Sequence, residues 1–279
     1  MSPDRFDLTG RVAIITGATQ GMGAACAERF AASGARLVLT SRSEGDLAAR
    51  AAELNAAYGQ GETIAVFKAG DLADRPHLKG LADLALERFG KITTLLCSPS
   101  IRPWIGRSID TPDDELEAQL TYIFKSRFWL SSQVIPKMIE AGGGSLIYIG
   151  SGSPFESTTE RSTSTIARAA ELQMMKNFAA EFGRNNVRAN IIAPGMVNSS
   201  GSRQLFEHRN GAQRIAGLPM RRGGRTDEIA AAAAFLASDA SSFTTGAVLP
   251  VDGGRLLHAV DGMLTEPYGD NPPVSPAHE

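Results

Sequence analysis

Cysteine is almost missing from the 279-residue chain: Cys26 and Cys97 are the two present, too few for a disulfide framework or a thiolate metal site. Basic charge is not in excess either. Lys plus Arg number 28 against 30 Asp plus Glu, a formal net charge of -2, whereas a nucleic-acid binder shows a basic patch or a high pI. No apolar run approaches the roughly 20 residues of a membrane span, and the opening MSPDRFDLTG lacks the basic-then-apolar order of a signal peptide. What is present is 43% hydrophobic and 21% charged residues, a composition that argues against disorder and fibre alike. The expectation is a cytoplasmic protein with no nucleic-acid partner, no membrane partner and no metal.

Short β-branched runs alternate with longer stretches of helical period. The runs are Val12–Thr16, Arg36–Thr40, Thr63–Phe67, Ile92–Cys97, Ser145–Ile149, Val187–Ile192 and Gly246–Val251. They are mostly apolar, as strands covered on both faces are. Between them, Gly21–Ser33, Glu44–Tyr58, Asp74–Phe89, Pro112–Glu140, Ser162–Gly183 and Asp227–Ser238 carry amphipathic spacing. Thr111 as a cap, Pro112 as a first-turn proline and the acids Asp113, Asp114 and Glu115 mark one helix start. Such alternation predicts a single α/β domain spanning 1–279, a doubly wound parallel sheet of about seven strands with helices on both faces. Two segments break the rhythm. A long connection at about 196–222 reads as a lid with a short helix of its own, and the proline-rich end, about 258–279, reads as an irregular tail.

The turn after the first strand is Thr16-Gly17-Ala18-Thr19-Gln20-Gly21-Met22-Gly23, and it opens a helix. Glycines there allow a tight bend and let backbone N–H groups approach a pyrophosphate at a positive helix end. In that strand-to-helix context Gly17, Thr19, Gln20, Gly21, Met22 and Gly23 are candidate dinucleotide-binding residues of a Rossmann fold. The second strand ends in Thr40-Ser41-Arg42. An acid there would bond a ribose 2′-hydroxyl and repel a 2′-phosphate, whereas arginine welcomes the phosphate. Ser41 and Arg42 therefore favour NADP(H) over NAD(H), the alternative being a solvated arginine that merely begins a helix.

With these residues the chain resembles the short-chain dehydrogenase/reductase family from about Leu8 to Arg255. The glycine turn has the family's T-G-x-x-x-G-x-G spacing. Asp71-Leu72 resembles the family's adenine-binding acid and its neighbour. Ala193-Pro194-Gly195, followed by Val197, resembles the turn beside the nicotinamide, and Val251-Asp252-Gly253-Gly254 the last strand's end. The resemblance implies a nicotinamide cofactor, a small-molecule substrate and a homodimer or homotetramer. Phe128, Trp129 and the alanine-rich 162–183 segment are compatible with such an assembly.

At the chemical end the chain departs from the family. The usual N-N-A-G is Cys97-Ser98-Pro99-Ser100, and the helix asparagine is Ile123. The serine after the fifth strand is kept as Ser151, but Tyr-x-x-x-Lys has become Ser164-Thr165-Ile166-Ala167-Arg168. A serine at 164 is shorter by a ring and far less acidic than a tyrosine. Arg168 can hold ribose hydroxyls but, with its high pKa, cannot relay a proton. Ser151, Ser164 and Arg168 are thus the candidate catalytic residues of a site whose acid–base pair is gone. Pro99 removes one N–H near the ribose and bars Ser98 from helical backbone. Glu156, Glu160, Tyr148 and His208 are weak candidates for a replacement acid. Tyr148 is expected to point to the opposite face, and the two glutamates to be solvated. Arg102 and Trp104 are possible cavity residues, and Arg102, Arg161 and Arg168 hint at an anionic substrate. Three functions fit: an NADP(H)-dependent oxidoreductase on a carbonyl or alcohol with a rebuilt proton path, a catalytically silent nucleotide-binding protein, or a non-redox enzyme of the dehalogenase kind.

Overall fold

A computed structural model describes residues 5–98, 101–102, 104–156, 159–199, 206 and 211–257. Seven strands run parallel in one sheet. They are β1 (Val12–Thr16), β2 (Arg36–Thr40), β3 (Ala65–Phe67), β4 (Thr94–Cys97), β5 (Gly144–Ile149), β6 (Val187–Pro194) and β9 (Val248–Val251), in the order β3-β2-β1-β4-β5-β6-β9. A small second sheet pairs β7 (Val197–Asn198) with β8 (Gly224–Arg225). The helices are α1 (Gly21–Ala32), α2 (Glu44–Tyr58), α3 (Arg75–Phe89), α4 (Asp113–Gln119), α5 (Ser126–Glu140), α6 (Ser162–Phe182), α7 (Gly211–Ala216) and α8 (Thr226–Ala237).

Period-two alternation divides each strand between two cores. Ala13 and Ile15 of β1 face Cys26, Phe30, Leu47 and Ile229, from α1, α2 and α8. Val12 and Ile14 face Leu78, Leu81, Val134 and Met175, from α3, α5 and α6. The upper core, under α1, α2 and α8, and the lower core, under α3, α5 and α6, thus cover both faces of the sheet, which is why its strands are mostly apolar. The strand order reverses between β1 and β4. The carboxyl ends of these neighbours, Thr16 and Cys97, lie in register, so the loops that follow them diverge and leave a crevice.

Several boundaries differ from the sequence expectation, and side chains account for them. β3 begins at Ala65 rather than Thr63, because Asn55 of α2 accepts the Ile64 and Ala65 N–H groups, both at 2.8 Å. β4 begins at Thr94 rather than Ile92: Thr93 Oγ1 accepts the Val12 N–H at 2.9 Å in place of a ladder carbonyl. The stretch 112–140 is not one regular helix. Its first helical residue is Asp113, Pro112 is the half-extended residue before it at φ -63 and ψ 143, and Thr111 supplies no cap bond. The turns then widen to π spacing over Leu120–Lys125 before α5 resumes, a local expansion of a kind often found at functional sites. The short helix expected in the 196–222 segment is α7. The tail at 258–279 lies outside the described residues, as do Pro99, Ser100 and His208.

Asn190 of β6 joins the last strand to the sheet. Fully buried, it donates from Nδ2 to Thr244 O at 2.9 Å and accepts the Ala247 N–H at 3.0 Å. Asn190→Leu would leave the Ala247 N–H without its partner and the Thr244 carbonyl with only the longer 3.4 Å bond from Arg188 Nη1. The expected loss is on the order of 2 kcal/mol, read as a lower urea midpoint with an unchanged slope.

Candidate functional site

The crevice begins at the turn between β1 and α1. Gly17 (φ 67) and Gly21 (φ 57) occupy the left-handed region that costs other residues energy. Gly17 and Ala18 N–H both donate to Thr40 O, at 2.9 and 3.3 Å, tying the turn to the end of β2. A Cβ on Gly23 would lie 2.1 Å from Gly17 O and 3.2 Å from Ser98 Oγ, so only glycine lets the helix begin this close to the turn. Ser98 in turn donates its N–H to Thr16 Oγ1 at 3.2 Å. α1 carries no side-chain cap bond at Gln20 and no acid in its first turn, which leaves its leading N–H groups and positive end for an anion. Thr19 and Gly21 open onto the solvent side of this helix start, next to Ala24 and Arg50. The geometry fits a dinucleotide diphosphate.

Along the adenosine direction, Ser41 Oγ is buried without a protein partner among the described residues, and Arg42 beside it is exposed. Asp71 already has a bond on each oxygen: Oδ1 accepts the Ala73 N–H at 2.8 Å, and Oδ2 accepts the Tyr122 hydroxyl at 2.9 Å. Burial, then the Asp71 carboxylate, pushes the Tyr122 pKa up, so the phenol stays protonated and donates. Sequence reasoning missed Tyr122. It reaches Asp71 from the π-wide segment, and nothing in the local pattern marks that contact. Leu72 packs on the lower core. Nearby His77 Nε2 lies 3.0 Å from Thr40 Oγ1; burial, aided by Lys68, lowers its pKa and keeps the ring neutral.

At the chemical end Ser151 follows the last residues of β5, and its Oγ accepts the Ser153 N–H at 3.1 Å. Ser164 lies in the first turn of α6, partly exposed, with Arg168 one turn further on the same face. Arg168 is not simply extended toward the crevice. Its Nη1 donates to Glu171 Oε2 at 2.8 Å and to Ile149 O at 3.1 Å. Burial and then the charge of Arg127 push its pKa well down, while the bonded carboxylate favours the cation. Ile123, where the family has asparagine, is buried in the π-wide segment. Tyr148 faces the lower core, as expected, with its hydroxyl 2.7 Å from Ser131 Oγ and its pKa raised by burial.

Glu156 is not solvated, contrary to expectation. Its side chain is 12% exposed and takes a 2.5 Å ion pair from Arg255, which closes the chain after β9 over the loop after Ser151. Glu160 is exposed, at φ 64. Trp104 packs its ring over Gly106, where a Cβ would come within 2.3 Å. Arg102 is exposed while its carbonyl accepts Gln119 Nε2 at 2.7 Å. Pro194 ends β6 opposite Val251, and Gly195 after it still donates its N–H to Val251 O at 3.0 Å. A Cβ on Gly195 would lie 2.6 Å from Asp252, and the Val197 side chain enters the upper core. Beyond them lies a cavity of about 300 Å³ lined by Gly195, Met196, Met220, Arg222 and Asp252 among others. Arg222 grips Glu228 with bonds of 3.0 and 2.7 Å, which, with the Arg225 N–H, hold the Glu228 pKa down at about 2.

A doubly wound sheet with a glycine turn at its switch point defines a dinucleotide-binding protein. The family model described as enoyl-(acyl carrier protein) reductase matches residues 17–255. Dehydrogenase/reductase SDR family member 4 of Bos taurus is 31% identical over 91% of this chain and 90% of its own. D-threitol dehydrogenase of Mycolicibacterium smegmatis is 32% identical, over 90% and 95%. A 7α-hydroxysteroid dehydrogenase solved with NADH and 7-oxo glycochenodeoxycholic acid matches at a TM-score of 0.84 and 29% identity, over 91% of this chain and 97% of that one. The chain belongs to the short-chain dehydrogenase/reductase family, whose fold binds a nicotinamide cofactor. Among the described residues no helix is long and apolar enough to cross a membrane, and no cluster of metal-ligating side chains occurs.

Gly23→Ala should weaken dinucleotide binding roughly tenfold or more, because its Cβ forces the turn away from α1. Calorimetric titration with NADPH checks this, and unaltered affinity would show that the turn does not hold the diphosphate.

Proposed function

We propose that the chain is an NADP(H)-dependent oxidoreductase acting on a carbonyl or alcohol, in one dinucleotide-binding domain, with a site that lacks the usual tyrosine–lysine pair. The observation that carries this reading is the intact glycine turn, with Gly23 held against Gly17 O, followed at the end of β2 by a buried Ser41 hydroxyl that has no partner among the described residues and an exposed cation at Arg42. No carboxylate stands at that strand end to repel a 2′-phosphate. Gly17, Thr19, Gln20, Gly21, Met22 and Gly23 would hold the diphosphate, and Ser41 and Arg42 the 2′-phosphate. Asp71 and Leu72 would meet the adenine, with Pro194, Gly195 and Val197 beside the nicotinamide. A bound nicotinamide supplies or accepts the hydride.

The remaining chemistry falls to the chain. Ser151 Oγ uses a lone pair on the Ser153 N–H, which leaves its O–H to polarise a substrate oxygen. Arg168 keeps one nitrogen on Glu171 and presents the rest of its guanidinium to the ribose hydroxyls. Ser164, one turn earlier, is too short and too weak an acid to take the tyrosine's part. The proton therefore comes from water or from the substrate itself, and the 196–222 segment is the lid that selects the substrate. Assembly into a homodimer or homotetramer is supported by the aromatic ladder of α5 and α6. Phe128 is 41% exposed and lies 5.7 Å from the Phe178 ring, which lies 6.1 Å from that of Phe182.

A second reading, a catalytically silent nucleotide-binding protein, is favoured by Ser164 and by the buried Ile123, which carry no proton chemistry. The two readings separate on rate. NADPH oxidation with ketones and quinones should be measurable in the first, and Ser151→Ala should lower kcat by about 10²–10³-fold with NADPH affinity unchanged. If no carbonyl substrate turns over while NADPH binds tightly, the silent reading stands. For the cofactor, NADPH should bind about tenfold or more tighter than NADH, and Arg42→Asp should reverse that order. Tighter NADH binding by the native chain would refute the NADP assignment.

A further inference from the structure

Directly behind the chemical end lies a buried ionic cluster that the family's reaction does not call for. Arg127 of α5 and Arg168 of α6 both donate from Nη1 to one acceptor, the Ile149 carbonyl at the end of β5, at 3.2 and 3.1 Å. Glu171, one turn beyond Arg168, takes an ion pair from each guanidinium. Its side chain and that of Arg127 are each 1% exposed. The carboxylate also abuts the backbone that leads to Ser151: a Cβ on Gly150 would lie 3.6 Å from Glu171 Oε2 and 2.6 Å from Ile191 Cγ2. One carboxylate thus connects three elements, and both arginines end on the carbonyl two residues before Ser151.

Stability alone is a poor reason for this arrangement. Removing three charged groups from water is costly, and apolar side chains of the same volume commonly serve a core as well or better. What the cluster provides is direction. Charge-assisted, forked hydrogen bonds hold donor and acceptor in one geometry, and here they hold the Arg168 head and the β5 terminus in a single unit. A lysine at 168, being a flexible point charge, would not require such a brace. An arginine there has a longer, planar head that must be turned so that one edge faces inward.

We infer that Glu171 and Arg127 are positioning residues, which orient the Arg168 guanidinium toward the nucleotide and set the backbone that carries Ser151. This inference rests on the reading of Arg168 as a ribose-holding group and of Ser151 as a carbonyl-binding group. Neither Glu171 nor Arg127 touches the reacting atoms.

The test uses Glu171→Asp, which keeps the charge and withdraws the carboxylate by one methylene. Glu171→Gln would leave two buried cations facing each other, and loss of folding could mask the result. NADPH affinity is measured by calorimetry for the native chain, for Glu171→Asp, for Arg168→Ala and for the double variant. Backbone amide resonances of Ser151 and Ser153 are followed in the nucleotide-free protein. The expected result is a roughly tenfold weaker Kd in Glu171→Asp, a change of less than about twofold when the same substitution is made on Arg168→Ala, and displaced Ser151 and Ser153 resonances. Equal weakening in both backgrounds, or unmoved resonances, would overturn the inference, since a purely structural role predicts additivity and no selective shift. If the native chain takes up no nucleotide, the cofactor reading fails by itself, and the resonances still decide whether Glu171 sets the Ser151 backbone.

Discussion

The contact between the start of α1 and the end of β1 is the constraint on which the rest depends. With Gly23 against the Gly17 carbonyl, the helix begins as close to the strand as backbone atoms permit. Its positive end is then presented at the point where the sheet order reverses. A larger residue would move the helix outward, and with it Cys26, Ala27 and Phe30 of the upper core. The anion-binding geometry and the packing of that face are therefore one requirement, satisfied by the absence of a single carbon atom.

The chemical end shows the opposite strategy. There a buried ionic cluster of Arg127, Arg168 and Glu171 stands behind the backbone that leads to Ser151. Arg127 of α5 and Arg168 of α6, helices on the same face of the sheet, both reach the Ile149 carbonyl and the Glu171 carboxylate. This is an expensive construction in a protein interior, and it lies beside Ser151 rather than in the middle of a helix bundle. The crevice thus joins an end shaped by glycine and backbone to an end braced by buried charge.

Much of the architecture could be read directly from the chain. The seven apolar runs correspond to the seven strands of the main sheet, since strands dry on both faces need apolar residues without a break. The glycine turn at 17–23 was legible as the bend between a strand and a helix because its residues are consecutive and their backbone preferences are local. Errors at the edges had local causes as well: Asn55 and Thr93 take over backbone hydrogen bonds, so β3 and β4 start later than their apolar pattern. Glu156 was misjudged because its partner, Arg255, is 99 positions away.

By itself, then, the sequence determined the layer architecture, the place of the glycine turn between β1 and α1, and the residue types, Ser164 and Arg168, that stand at the start of α6. Each of these follows from residue type and spacing along the chain. Only the tertiary structure decided that Tyr122 bonds Asp71, that one nitrogen of Arg168 turns inward, and that Glu171 serves two arginines from different helices. Those contacts join residues from separate elements. Their geometry depends on how helices rotate as they dock on the sheet, and no period or propensity along the chain records that rotation.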